Sequence, residues 1–163
     1  HWYYPTIREM TARPDFRLDC DWIADQLHPK IKPGEVERAI EVLLRLGYIV
    51  DSDGKVERGE PTLTTGHEVN SLAIVNYHHQ MIDLGKESIE SIERQWRDIS
   101  ALTMCVRPDQ IPVLKERIHA FRETLMQLTD TVEEPETVYQ LNMQLFPLNQ
   151  TGEIEPSPGD TEK

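Results

Sequence analysis

From Pro33 to Tyr48, PGEVERAIEVLLRLGY, apolar and polar positions alternate with a helical period. Val36, Ala39, Ile40, Leu43, Leu44 and Gly47 fall on one side of a repeat of about 3.6 residues. Pro33 at the first helical position and Gly47 after the last turn mark its ends. Lys32 stands where a Ser, Thr or Asp N-cap is usual, so the first turn is the weakest part of this helix. Upstream, Asp19 to Leu27 predicts a shorter helix, with Asp19 as N-cap, Ile23 and Leu27 one turn apart, and His28-Pro29 as the stop. Pro5 to Thr11 predicts the first helix, closed by Arg13-Pro14-Asp15, with the aromatic cluster Trp2, Tyr3 and Tyr4 as core. Downstream, Tyr48-Ile49-Val50 and Lys55 to Arg58 flank Asp51-Ser52-Asp53-Gly54, whose Asp-Gly pair suits the positive φ angles of a hairpin turn. Helices followed by a ribbon predict a winged helix-turn-helix module over residues 1–62.

The second half carries both periods. Thr65-Gly66-His67-Glu68 matches a capping box and opens a long helix from Glu68 to Ile92 or beyond, giving a connecting element over residues 63–97. Ala73, Ile74, Tyr77, Met81, Ile82, Leu84, Ile89, Ile92 and Trp96 cover an arc wide enough to touch more than one neighbour. Asp98 to Val106 predicts a strand, and Asp109 caps a helix running to Asp130, with Leu114, Ile118, Phe121, Leu125 and Leu128 on its buried side. Val138 to Phe146 alternates: Tyr139, Leu141, Met143 and Leu145 face one way, Gln140, Asn142 and Gln144 the other. Residues 98–148 thus predict a βαβ-like unit with a right-handed crossover, and the whole chain is α+β. Two strands alone are marginal, and a second copy of the chain is the economical way to complete them, so a homodimer is expected. The Asn, Gln, Thr, Gly, Glu, Pro and Ser that dominate residues 149–163 predict a disordered tail.

Charge narrows the partners. The net charge of -12 argues against nucleic acid or an anionic membrane as general electrostatic partners. It is unevenly placed: residues 1–62 carry 9 basic and 12 acidic groups, 63–132 carry 7 and 10, and 133–163 carry 1 and 7. The two cysteines, Cys20 and Cys105, have no paired spacing and fit a reducing cytoplasm. No apolar run approaches the ~18 residues needed to span a bilayer, and no signal peptide is visible.

The second helix of a winged helix usually lies in a DNA major groove and so presents basic, polar side chains. Here the outward arc holds Glu37, Arg38, Glu41 and Arg45 at spacings that let the charges satisfy one another. In the ribbon Asp51, Asp53, Glu57 and Glu60 outnumber Lys55 and Arg58. The cations that supply most non-specific DNA affinity are therefore not in surplus. The expectation is a structural or dimerising module; if the winged helix does contact DNA, Arg38, Arg45, Lys55 and Arg58 are the candidates.

No residue set demands an enzyme, a metal or a cofactor. His67, His78 and His79 invite a metal reading, but His78 and His79 point about 100° apart on a helix, and no Cys or carboxylate sits at a ligand offset. Hydrogen bonding of His79 to Asp83 or Asn76 and partial burial of His78 are expected instead. Cys20 lies near a helix N-terminus but between Asp19 and Asp21, which oppose a thiolate, and Cys105 lies in an apolar run; both read as inert packing residues. No Gly-rich phosphate loop, nucleophile elbow or zincin helix occurs. The amide row Gln140, Asn142 and Gln144, alone or with His78 and His79, is the candidate for an effector pocket or an interface, against a plain solvated face. A small-molecule or metal-binding effector site, or an enzyme site, near His78 and His79 is the remaining alternative.

The segments HWYYPTIREM, VERAIEVLLRLGYI, LTTGHEVNSLAIVNYHHQM, ISALTMCV, PVLKERIHAFRETL and VYQLNMQLFPL, in this order, resemble an uncharacterised bacterial family of transcriptional regulators. In that family a domain of unknown function forms the C-terminal part and a separate helix-turn-helix precedes it. The resemblance implies a cytoplasmic regulator whose sensing or dimerising half is this chain, with DNA read by a segment N-terminal to His1. It carries over no catalytic residue.

Overall fold

The computed structural model describes residues 1–59 and 67–149, with backbone alone for 67–71. The proposed capping box at Thr65 to Glu68 and most of the acidic tail lie outside the described side chains. The described elements are α1 (Tyr3–Met10), α2 (Cys20–Gln26), α3 (Pro33–Arg45), β1 (Ile49–Ser52), β2 (Lys55–Arg58), α4 (His67–Ser91) and α5 (Ile111–Asp130). Single 3₁₀ turns lie at Arg94–Trp96 and Pro108–Gln110. Helices with a small antiparallel sheet make the chain α+β.

Local chemistry sets these boundaries. The Asp19 carboxylate accepts a hydrogen bond from the Trp22 backbone N–H at 2.9 Å, which caps α2. A lysine side chain has no acceptor, so Lys32 cannot cap α3 in the usual way; instead the Glu35 carboxylate accepts from the Lys32 backbone N–H at 3.0 Å. At the other end Gly47, at φ 73°, closes a Schellman motif. The Tyr48 N–H donates to the Leu43 carbonyl at 2.9 Å and the Gly47 N–H to that of Leu44 at 3.1 Å. Asp53 and Gly54, at φ 56° and 85°, form the two-residue turn between β1 and β2, and the Gly54 N–H donates to the Asp51 carboxylate at 2.9 Å.

The core gathers on one side of these elements. Ile7, Ile23, Val36 and Ile49 are fully enclosed, with Tyr3, Met10, Ala24, Leu27, Ala39, Ile40, Leu43 and Val56 around them. Each of α1, α2, α3 and the hairpin contributes, so the helical period in α3 and the aromatic start of the chain did locate the core. Leu44 is the exception: it lies at the edge of the α3 arc and is exposed. Gly59, which the pattern did not single out, seals the hairpin against α3. Its N–H donates to the Tyr48 carbonyl at 2.9 Å, and an added Cβ would lie 2.2 Å from the Gly47 carbonyl oxygen.

Beyond this core, packing thins. Met81 on α4 is the one buried apolar residue from 72 to 149. The Trp2 backbone N–H donates to the Gln80 side chain at 3.0 Å and Val138 rests against the core cluster, which joins the second half to the first. On α5 only Ile111, Leu114, Ile118 and Leu125 are half-buried; Phe121 and Leu128, expected on the buried side, are exposed. Asp109 does not cap this helix. It pairs with the Arg107 guanidinium at 3.0 Å, while the Gln110 side chain accepts from the Arg107 N–H at 3.0 Å.

The expected βαβ-like unit is not formed within one chain. Among the described residues β1 and β2 are the only paired strands, and neither 98–106 nor 133–148 makes a backbone–backbone hydrogen bond. The physical reason is that two isolated strands gain too little from one ladder to offset their ordering entropy.

Candidate functional site

Two of the three amides in the row, Gln140 and Asn142, reach α4. The Asn142 side-chain amide donates to the Met81 backbone carbonyl at 2.6 Å, and the Tyr77 hydroxyl donates to the Gln140 side chain at 3.4 Å. Gln140 in turn donates to the Asn142 side-chain oxygen at 3.0 Å. Val138 and Asn142 therefore face the body of the protein, as a two-residue alternation allows, while Gln140 between them stays exposed and reaches α4 only through Tyr77. Consequently Tyr139, Leu141, Met143 and Leu145 face outward and are exposed. Gln144 is not drawn into the row; it is exposed and has no partner among the described residues.

This arrangement depends on two features of α4. Gly85 leaves room beside the helix, since a Cβ there would come within 3.2 Å of the Asn142 amide nitrogen. Tyr77 is half-buried, and burial pushes its phenol above the ordinary value of 10.0, so the hydroxyl stays protonated and able to donate. Elsewhere on its surface α4 carries Leu72, Val75, Ile82 and Ile89 in the open.

His78 and His79 do not join the amides. Both are exposed; the His78 ring meets the edge of the Tyr77 ring at 5.8 Å, and the expected hydrogen bonds of His79 to Asp83 or Asn76 are not made. The two side chains point to different sides of the helix, so they cannot share a ligand. Among the described residues no group of three His, Cys, Asp or Glu side chains has metal-holding geometry. Both cysteines are free thiols. Cys20 is half-buried, and its thiol is pushed up by burial first and then by Glu37, Asp19 and Asp21. Cys105 is exposed, not packed as its apolar neighbours suggested, because the strand expected around it has no sheet to enter.

The outward face of α3 differs from expectation in detail. Glu37, Arg38, Glu41 and Arg45 are all exposed, yet no ion pair links them among the described residues. Charge balance there is two against two without contact. The ribbon cations are engaged: Lys55 pairs with Glu57 at 2.6 Å, and Arg58 with Glu9 at 2.8 Å across to α1. An open depression of about 340 Å³ lies at the first turn of α3, lined by Lys32, Gly34, Glu35 and Arg38. It contains none of the histidines or the amide row.

Twenty of the twenty-four exposed large apolar side chains among the described residues lie from Leu72 onward, and this decides where the unfinished surface is. Among the described residues no helix is long and apolar enough to cross a membrane.

A family model described as Domain of unknown function (DUF4423) matches residues 1–148, and the chain belongs to that family. No match was found among curated proteins or among solved structures.

Proposed function

We propose that this DUF4423 domain is the non-enzymatic regulatory and dimerising half of a bacterial transcriptional regulator in the cytoplasm, with DNA read by a segment N-terminal to His1. On this reading α1 to α3 and the hairpin are a winged helix-turn-helix used as a packing surface. Residues 98–148 supply the assembly element, and α4 connects the two.

The observation that carries the reading is the charge on the winged module. Five of its nine basic residues, Arg8, Arg13, Lys30, Lys55 and Arg58, already hold carboxylates, and the outward face of α3 is neutral. A phosphate backbone would find few free cations able to displace its condensed counterions.

A second reading is favoured by one specific observation. Arg38 and Arg45 are exposed and free of ion pairs, so the winged helix has two guanidinium groups to offer DNA directly. Fluorescence anisotropy with a mixed-sequence duplex at low and at high salt separates the two. The first reading expects no saturable binding tighter than about 10⁻⁴ M. Saturable binding that weakens with salt and is lost in Arg38→Ala/Arg45→Ala would establish the second.

A further inference from the structure

Residues 98–106 and 138–146 share two properties that a finished surface does not combine. Neither makes a backbone–backbone hydrogen bond. Arg97 and Arg107, which flank 98–106, are in extended conformation, at φ/ψ of -136°/153° and -81°/151°. Both segments also turn large apolar side chains to solvent: Leu102 is 79 % exposed, and Tyr139, Leu141 and Met143 form an open apolar face over the amides anchored to α4. An anchored amide face with an apolar face outward is the reverse of a solvated edge strand, which places its polar side chains outward.

We infer that a second copy of this chain covers these segments, and that 98–106 and 138–146 from the two copies pair into one intermolecular sheet. This inference rests on the assembly role proposed above and adds to it the surface and the bonding that assemble the dimer.

Area and strand number both favour a second copy. The two segments alone expose eight large apolar side chains, which at roughly 100 Å² of open surface each leave roughly 800 Å² per copy uncovered. A standard interface takes ~800 Å² from each partner, and obligate homodimers take more. One copy offers two strand-like segments, which is marginal, whereas two copies offer four, enough for an independently stable sheet. The charge pattern permits self-association as well. α5 carries Lys115, Arg117 and Arg122 against Glu116, Glu123 and Asp130, so a two-fold contact brings no net like charge together.

Hydrogen exchange on the full chain, combined with light scattering, tests this. The expected result is a dimer in which the amides of 99–106 and 138–146 exchange at least about 100-fold more slowly than unpaired amides. Met143→Pro, which deletes a ladder N–H at a position with no backbone partner in the single copy, and Leu141→Lys, which charges the open face, should each give a monomer in which that protection is lost. The helical circular dichroism and the tryptophan emission of the chain should stay native in both variants, which separates loss of pairing from loss of fold. A dimer whose two segments exchange at unprotected rates would overturn the intermolecular sheet while leaving the dimerising function standing. A concentration-independent monomer would overturn both.

Discussion

Ile7 lies on α1 with no exposed surface, enclosed by residues from α2, α3 and the hairpin, so its truncation probes the core that holds all four together. Ile7→Ala removes three carbon groups. At about 0.8 kcal/mol per buried methylene the lost transfer free energy is about 2.4 kcal/mol. The enclosed site collapses only partly, and a residual void of some tens of Å³ adds about 1 kcal/mol at ~24 cal/mol per Å³. The total is about 3 to 4 kcal/mol, a third or more of the roughly 3 to 9 kcal/mol expected of a module of ~60 residues at 0.05 to 0.15 kcal/mol per residue. Guanidinium unfolding followed by far-UV circular dichroism and by tryptophan emission, to which Trp22 packed edge-on against Phe16 at 6.0 Å contributes, would read the loss. Ile89→Ala on the open side of α4 removes the same atoms from a half-exposed position and should cost a single chain under about 1 kcal/mol. Equal losses for the two variants, or a loss below about 1 kcal/mol for Ile7→Ala, would refute the assignment of the core to residues 1–59.

Three further substitutions have defined outcomes. Gly59→Ala would place a Cβ against the Gly47 carbonyl oxygen, a backbone atom that cannot step aside, and should cost roughly 2 kcal/mol or more in urea unfolding; a neutral effect would mean the seal is not as described. Asp19→Ala leaves the Trp22 N–H without its acceptor and should lower stability by about 1 kcal/mol, with Asp19→Asn or Asp19→Ser largely restoring it. Tyr3 titrates above its ordinary 10.0 because burial, then Tyr4, then Glu35 disfavour the phenolate, with Arg38 opposing. Its contribution is fully present below the unfolded value and is lost as pH rises through the folded one, so the urea midpoint should fall from about pH 10 upward and fall less in Tyr3→Phe. Identical alkaline slopes for wild type and variant would contradict this.

The N-terminal elements were legible because their signals are local. Asp19 caps α2, Gly47 takes the positive φ that ends α3, and Asp53-Gly54 makes the hairpin turn, each within a few residues of the element it bounds. Glu35, which replaces the missing N-cap at Lys32, was in view but not assigned that task. Gly59 carried no pattern of its own; only the close approach of two backbone segments explains it. In the second half the alternation of 138–146 was legible in its period, which left open whether the amides meet solvent or a neighbour. Periodicity says which residues share a face and not which face is inward, and the anchoring of Asn142 to Met81 decided that. The pairing of His79 with Asp83 or Asn76 failed for a similar reason, since spacing on a helix permits such a bond without requiring it.

A core gathered in residues 1–59 and an open apolar second half support the proposal that this domain is finished only when two copies meet. Light scattering across a dilution series of the full chain measures that directly. The account predicts a mass of twice 18.9 kDa that persists to low micromolar concentration. A mass of 18.9 kDa at every concentration would contradict it.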